Sequence, residues 1–334
     1  MSEMYGEISI TRKILYQTGS LSNDTYTLLT SGGVSGDLNL PKDLSMMNRR
    51  GYASTTRKGV PLVYQCQIDF YLHDEDGQGP STAMGSDLQA TLKIDGAQNN
   101  WVMRNAAVKW HAAREKMFAD ANVKKASRGA YSHEVRYNYD TADDTWLVPI
   151  DGDGDAFTGG TWDISKLGYE SDALFQLKVV GAGDDEETDA FSGTVMQIGH
   201  SYLVSRQNQL ADTNPESSEG PAAHSALQKL LAPVPSPDGS SEDDVIVRAR
   251  DDQDNPPYEV LDLSDSGDVN HDITEPVELG RTVAGFGNAY GSTIVEIPFG
   301  LAKMKATVYD AADTNVTPSG LVCVTVLDIY EMQG

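Results

Sequence analysis

The stretch Gln65-Cys66-Gln67-Ile68-Asp69-Phe70-Tyr71-Leu72 alternates polar and apolar side chains along its whole length. Alternation with a period of two predicts a β-strand that buries one of its faces. Similar β-rich runs are separated by clusters of Gly, Asp, Asn and Pro, which favour turns. They occupy residues 7–11, 131–139, 144–150, 172–180, 194–205, 244–250, 257–263, 291–299, 301–309 and 320–331. Because helices do not alternate with these strands, the pattern predicts an all-β chain of jelly-roll (β-sandwich) domains rather than a parallel α/β sheet.

Composition limits what the chain can do. Its 334 residues, 39% of them hydrophobic, are enough for two domains with sizeable cores. The formal net charge of −25 excludes free binding to nucleic acid through overall charge. The acidic N-terminus lacks the apolar run of a signal peptide, and no apolar run is long enough to span a membrane. Cys66 and Cys323 lie in apolar runs and are interpreted as buried thiols of a chain folded in a reducing compartment.

Two helices are predicted between the strands. Asn99 or Asn100 can cap a helix that continues to about residue 120. Its apolar face contains Met103, Ala106, Ala107, Trp110, Ala113 and Met117. Arg104, His111 and Glu115 are expected on the opposite face. A second, short helix over 222–232 lies within a proline-rich stretch.

A faint internal repeat predicts the domain organisation. Residues 173–180 and 192–198 form a strand, an acidic loop and a second strand, and residues 301–308 and 319–325 repeat this order. We interpret the two units as matching β-hairpins in two tandem jelly rolls. The first would span 1–206 with a helix inserted at about 100–120, and 207–242 would be a proline-rich connector with a short helix. Residues 243–334 would complete the second jelly roll.

One acidic motif has the spacing of a metal-binding loop. Asp151, Asp153 and Asp155 alternate with glycines, so their carboxylates could converge on a hard cation such as Ca²⁺. The motif departs from an EF-hand loop, because Ala156 replaces its glycine and Trp162 replaces its bidentate glutamate. A plain acidic turn is therefore the alternative, and no other cofactor is expected.

No catalytic signature is recognised in the sequence. Residues 285–291 read G-x-G-x-x-x-G, one residue longer than a dinucleotide-binding loop and without a following helix, so we interpret them as a strand connection. The six histidines are scattered and lack the spacing of a metal pair. The chain is therefore predicted not to be an enzyme and to have no small-molecule substrate.

Basic residues are concentrated in two segments of this acidic chain. The first contains Arg49, Arg50, Arg57 and Lys58. The second, between 104 and 128, contains Arg104, Lys109, Arg114, Lys116, Lys124, Lys125 and Arg128. These residues are either a solvated surface or a contact surface for an acidic neighbour, which could be another subunit, nucleic acid or a lipid surface.

The β-rich halves, the capped helix between strands and the long acidic loops resemble a double jelly-roll major capsid protein of icosahedral bacteriophages with an internal membrane. The segment Trp101–Met117, running into Gly129–Ser132, is similar to capsid sequences of small environmental phages. The resemblance implies homotrimeric capsomers assembled in a host cytoplasm into a virion shell. It also implies contacts with neighbouring capsomers and minor capsid proteins, and an internal membrane or genome at the inner face.

Our hypothesis from the sequence is therefore a self-assembling, non-catalytic major capsid protein. The alternative is a non-enzymatic β-sandwich module that binds a receptor or carbohydrate, in which Trp146, Trp162 and Tyr169 near the Asp151–Asp155 loop stack on sugars. A carboxylate-based hydrolase is a third interpretation, supported only by the abundance of acidic residues.

Overall fold

The structure is a computed structural model that describes residues 12–17, 27–28, 36–73, 88–128, 134–140, 146–151, 153–157, 159–160, 162–168, 174–181, 195–202, 275–285, 290–310 and 319–333. The described strands are β1 (Lys13–Gln17), β2 (Thr27–Leu28), β3 (Asp37–Asn39), β4 (Leu62–His73), β5 (Leu88–Gly96), β6 (Lys166–Gly168), β7 (Leu174–Lys178), β8 (Val195–Gln197), β9 (Val277–Gly285), β10 (Tyr290–Pro298), β11 (Leu301–Asp310) and β12 (Ser319–Glu331). The helices among the described residues are α1 (Leu40–Asn48), α2 (Trp101–Asp120) and a helical segment over 198–202, and a short 3-10 helix covers Lys125–Ser127. Antiparallel strands thus dominate the described residues, and the all-β prediction is confirmed.

Two antiparallel sheets form the main body. The first sheet has the strand order β1-β12-β4-β10, and the second has the order β2-β11-β5-β9 with β3 also paired to β11. In the first sheet, Val324 lies opposite Ile68. In the second sheet, Met304 lies opposite Ile94. Each sheet therefore combines strands from both ends of the chain.

The two sheets pack face to face around one hydrophobic core. The alternation in β4 predicted that this strand buries one face. Cys66, Ile68 and Phe70 are fully buried, while Tyr71 is exposed. Side chains of both sheets meet in this core, among them Ile14, Tyr64, Leu92, Ile94, Val295, Ile297, Met304, Val322 and Val324. Their burial is the main stabilising term of the sandwich, at about 1.5–3 kcal/mol for each large apolar side chain.

The two open sides of the sandwich are closed differently. On one side, residues 146–150 run along the sheet edges, where the Ile150 N–H donates to the Leu15 carbonyl (2.8 Å) and the Leu147 N–H donates to the Asp37 carbonyl (2.7 Å). On the other side, β9 and β10 approach so closely that a Cβ at Gly291 would lie 2.3 Å from the Val283 carbonyl oxygen. Strand edges that would otherwise pair with another chain are thus covered.

A smaller lobe packs against one end of the sandwich. It contains α2 and a three-stranded sheet of order β6-β7-β8. A second core joins Trp110 of α2 and Phe175 of β7 to Val63, Phe299 and Met332, which lie at strand ends of the sandwich. The rings of Trp110 and Phe175 meet edge to face, with 5.7 Å between their centroids.

Helix α2 begins and ends close to where the sequence predicts. The Asn100 side chain caps it by accepting a hydrogen bond from the Met103 N–H at 2.9 Å. The predicted apolar face is buried, with Met117 only partly so. His111, expected on the exposed face, is instead buried, because an adjacent hairpin covers this side of the helix. No helix among the described residues is long and apolar enough to span a membrane.

The structure differs from the expected tandem arrangement. β7 and β8 pair in parallel, and β11 and β12 lie in different sheets, so neither unit of the internal repeat is a β-hairpin. Strands from 1–206 and 243–334 share both sheets of the sandwich, with β4 paired to β12 along its length. In the described residues, the boundary therefore does not separate two sandwiches. The 207–242 connector and its predicted helix lie outside the described residues.

Candidate interaction surfaces

A tight hairpin carries Arg57 and Lys58 of the first basic segment. The Leu62 N–H donates to the Ser54 carbonyl (2.9 Å) and the Thr56 N–H donates to the Val60 carbonyl (2.8 Å). Gly59 completes the turn at a φ of +83°, a conformation that favours glycine. Arg57 and Lys58, at the tip, are exposed.

The hairpin tip lies directly against α2. A Cβ at Gly59 would be only 2.4 Å from the Cβ of His111. The imidazole of His111 has a hydrogen bond to the backbone of Arg57, and burial lowers the pKa of this histidine. The hairpin tip of the first basic segment thus contacts α2, the helix that carries part of the second basic segment.

Five cations of the two basic segments form no ion pair within the described residues. Arg49 and Arg50 are exposed at the end of α1, and Arg49 adopts a left-handed φ of +50° that terminates the helix. Arg57 and Lys58 occupy the hairpin tip, and Lys124 is exposed beyond α2. We call these five residues the cationic set; Lys125 follows Lys124 at the start of the 3-10 helix.

Other basic residues of the α2 segment have partners within the chain. The Arg114 guanidinium donates to the Glu134 carbonyl at 2.7 Å, and Arg128 pairs with Glu115 at 2.6 Å. The guanidinium carbons of both arginines lie over the Phe118 ring, 5.0 and 4.0 Å from its centroid. These contacts attach the chain beyond α2 to the helix, so Arg114 and Arg128 stabilise the lobe.

Three further basic residues lie elsewhere on α2. Arg104 donates to the Met332 carbonyl at 3.1 Å, and Lys116 pairs with Asp120 at 2.8 Å. Lys109 is half-buried. The band read from the sequence is therefore divided among inward contacts, local pairs and the outward cationic set.

Two of the three aromatic residues considered for sugar stacking have contacts within the fold. Trp162 lies beneath the Arg136 guanidinium, whose carbon is 4.1 Å from the ring centroid. Trp146 packs against the second core. Tyr169 lies outside the described residues. The sequence did not indicate Arg136 as a partner, because 26 positions separate it from Trp162 and no local pattern connects them.

The Asp151–Asp155 loop is a self-contained turn. One carboxylate oxygen of Asp151 accepts the N–H groups of Asp153 and Asp155, both at 2.9 Å. The Asp151 N–H in turn donates to the Asp155 carbonyl at 2.9 Å. Asp153 and Asp155 are exposed, and the described part of the chain contains no group of three His, Cys, Asp or Glu residues positioned to hold a metal ion. Ca²⁺ binding at this loop therefore stays a prediction.

A buried carboxylate in α1 was not anticipated from the sequence. Asp43 of α1 is completely buried and accepts a hydrogen bond from the Tyr16 hydroxyl at 2.5 Å. Burial raises its pKa to about 6, although Lys42 and the Tyr16 hydrogen bond act in the opposite direction. Acidic residues are common in the first turn of a helix, where Asp43 lies, so no pattern in the sequence indicated that this carboxylate is buried.

Comparisons with models of protein families, with curated proteins and with solved structures found no match for this chain.

Proposed function

We propose that this chain is a major capsid protein, a non-catalytic subunit that self-assembles into an icosahedral virion shell, and that its sandwich is a jelly roll. The trimeric capsomer implied by the resemblance is part of this proposal. Minor capsid proteins and an internal membrane or genome are its further partners.

The strand pairing is the observation that carries the proposal. A jelly roll is an antiparallel ribbon of eight strands, rolled up so that strand n pairs with strand 9 − n. Counted along the sandwich, with β2 and β3 as one broken strand, the eight strands are β1, β2/β3, β4, β5, β9, β10, β11 and β12. The ribbon pairs are then β1 with β12, β2/β3 with β11, β4 with β10 and β5 with β9, and all four are present.

The same pairing supports one jelly roll rather than two. Residues 97–276 lie between β5 and β9, the fourth and fifth strands of the ribbon. Their described part contains α2 and the three-stranded sheet, so it acts as a long insertion at one end of the roll. We therefore replace the tandem arrangement by a single roll that carries an inserted lobe.

The distribution of charge favours assembly over an isolated chain. Acidic residues outnumber basic ones by 50 to 25, yet the cationic set has no ion-pair partner within the described residues. Acidic surface on a neighbouring copy is abundant and would supply that partner. Contacts of this kind weaken as salt concentration rises.

Jelly rolls also occur in lectins, so carbohydrate binding is the competing function. Carbohydrate binding by this chain would need exposed aromatic ring faces on which sugars can stack. Arg136 covers one face of Trp162, and Trp146 packs against the core. These contacts favour the capsid proposal over a sugar-binding module.

The test is the mass and shape of the purified protein, measured by light scattering and negative-stain imaging at two protein concentrations, at low and high salt, and with and without millimolar Ca²⁺. Three copies of the 36.1 kDa chain give a trimer of about 108 kDa. Trimers with a hexagonal outline, or closed shells, are expected. A monomer under every condition would refute the proposal.

A further inference from the structure

The outer face of the first sheet has few charges. Its residues lie in three rows across the strands, as the pairing registers define. The rows are Lys13, Thr325, Gln67 and Ile294, then Leu15, Cys323, Asp69 and Ser292, then Leu321, Tyr71 and Tyr290. We call these eleven residues the neutral face.

Large apolar groups of the neutral face are open to solvent. Ile294 is 61% exposed, the largest exposed fraction among the described large hydrophobic residues. Tyr71 and Tyr290 are 36% and 37% exposed, and their rings are stacked at a tilt with 5.0 Å between centroids. A sheet face with an ordered aromatic pair and an exposed isoleucine is the kind of surface that protein contacts bury.

The formal charges of the neutral face cancel. Lys13 and Asp69 are its two charged residues, and Asp69 is only 9% exposed. Its carboxylate accepts hydrogen bonds from Ser292 (2.6 Å), Gln67 (2.9 Å) and Tyr290 (2.9 Å). Burial alone would raise the pKa of Asp69, but these hydrogen bonds outweigh burial and lower it. The carboxylate is thus already satisfied within one subunit and presents few unpaired acceptors to a partner.

Acidic residues mark the limit of the neutral face. The next row along β10 and β12 contains Glu296 and Asp328, both exposed. Two copies with a net charge of −25 each repel one another over most of their surface. A face whose charges cancel is where the copies can approach without that repulsion.

We propose that the neutral face binds the same face of a second copy of this chain across a two-fold axis. The inference rests on the proposed capsid function and assigns one of its contacts. Like surfaces meet at a two-fold contact, so the apolar groups of one copy cover those of the other. Two packed sheets would then lie about 10 Å apart, as in a sandwich core.

The size of the neutral face indicates which contact it makes. With strands about 4.8 Å apart and rows about 6.7 Å apart, four strands and three rows cover roughly 400 Å². A stable pairwise interface buries about 800 Å² on each partner, so this contact is weak by itself. A two-fold contact also cannot close a three-membered ring, which needs unlike surfaces. The neutral face therefore joins subunits of different trimers and does not build the trimer.

The experiment compares Ile294→Lys with a matched control, Leu174→Lys. Leu174 is also a strongly exposed apolar residue, at 57%, but it lies on the three-stranded sheet of the lobe. Sedimentation velocity over a range of protein concentrations measures trimers and larger species, and circular dichroism checks the fold. Ile294→Ser, which adds no charge, is the second variant if Ile294→Lys folds poorly.

Ile294→Lys should leave trimers intact and weaken association between trimers by at least about tenfold, because each contact gains two like charges. Ile294→Ser should weaken it less, and Leu174→Lys should not change it. Two results would refute the neutral-face contact without contradicting the capsid function. In the first, Ile294→Lys and Ile294→Ser associate between trimers as strongly as the wild type. In the second, Leu174→Lys weakens this association as much as Ile294→Lys does. A wild-type protein that never assembles would instead refute the capsid function, and the inference with it.

Discussion

Replacing Gly59 by alanine tests whether the basic hairpin is packed against α2. Gly59 has a φ of +83°, and its added Cβ would lie 2.4 Å from the Cβ of His111. The contacted atom is the first of its side chain and is fixed to the helix backbone. It cannot turn aside as the end of a flexible side chain could, so the hairpin or the helix must shift.

Two costs contribute to the predicted loss of stability. The left-handed backbone costs alanine about 1–2 kcal/mol, and overpacking of a tight contact costs about 1–3 kcal/mol. Gly154→Ala isolates the first cost, because Gly154 has a φ of +88° and a Cβ there would meet nothing within 4 Å. Gly59→Ala should therefore lower the unfolding free energy by about 2–5 kcal/mol and Gly154→Ala by about 1–2 kcal/mol.

Urea unfolding followed by circular dichroism, at a protein concentration and salt that keep the chain unassembled, measures both values. The difference between the variants is the cost of overpacking at the hairpin–helix contact. Equal losses for Gly59→Ala and Gly154→Ala would show that the hairpin does not rest on α2. The two basic segments would then not share one surface.

Three further predictions address charge. Burial raises the pKa of Asp43 to about 6 from 3.8, so the stability contributed by its protonated form is full below pH 3.8 and lost as pH rises through 6. Asp43→Asn should abolish this loss, which amounts to about 3 kcal/mol of unfolding free energy measured by urea unfolding between pH 3 and 8. A difference in unfolding free energy between wild type and variant that stays constant across this pH range would contradict the prediction. Lys124→Glu combined with Lys125→Glu should reduce assembly in light scattering without changing the circular dichroism spectrum, and normal assembly would show that this part of the chain is only solvated. Millimolar Ca²⁺ should raise the Tm of the wild type but not of Asp153→Asn, which lacks one of the three carboxylates. The variant should keep the turn, because the exposed Asp153 carboxylate is not needed for it. Equal responses would exclude the loop as a Ca²⁺ site.

Local patterns in the sequence predicted local structure well. Period-two alternation in β4 correctly predicts that Cys66, Ile68 and Phe70 face the core. The position of Asn100 before an apolar periodic stretch correctly predicts the start of α2. Both signals depend only on residues a few positions apart in the chain. A single sequence therefore contains all the information that they need.

Contacts between distant segments could not be obtained in this way. β4 pairs with β12 across more than 240 residues, and nothing in either strand names its partner. The similar strand–loop–strand order in β7–β8 and β11–β12 indicated a repeat of two β-hairpins. Whether two successive strands pair with each other depends on which face of each strand is buried, and not on their order along the chain. β11 and β12 cover the same core from opposite sides, which places them in different sheets.

The burial of His111 and the division of the basic band have the same origin. Periodicity placed His111 away from the apolar face of α2, but the hairpin tip at Gly59 covers it from outside the helix. Arg114 is drawn to Glu134, beyond the end of the helix. The sequence showed that basic residues are concentrated there, whereas their partners depend on the tertiary fold.

The two outward surfaces differ in the symmetry they permit. The cationic set cannot bind another cationic set, because like charges would meet, so in the proposed capsid its partner would be a different, acidic surface of the next copy. Contacts between unlike surfaces close rings, and a ring of three is the proposed trimer. The neutral face has no such restriction, since the charges of Lys13 and Asp69 cancel within one copy. A closed shell needs both kinds of contact, one within capsomers and one between them, and this chain has a surface suited to each.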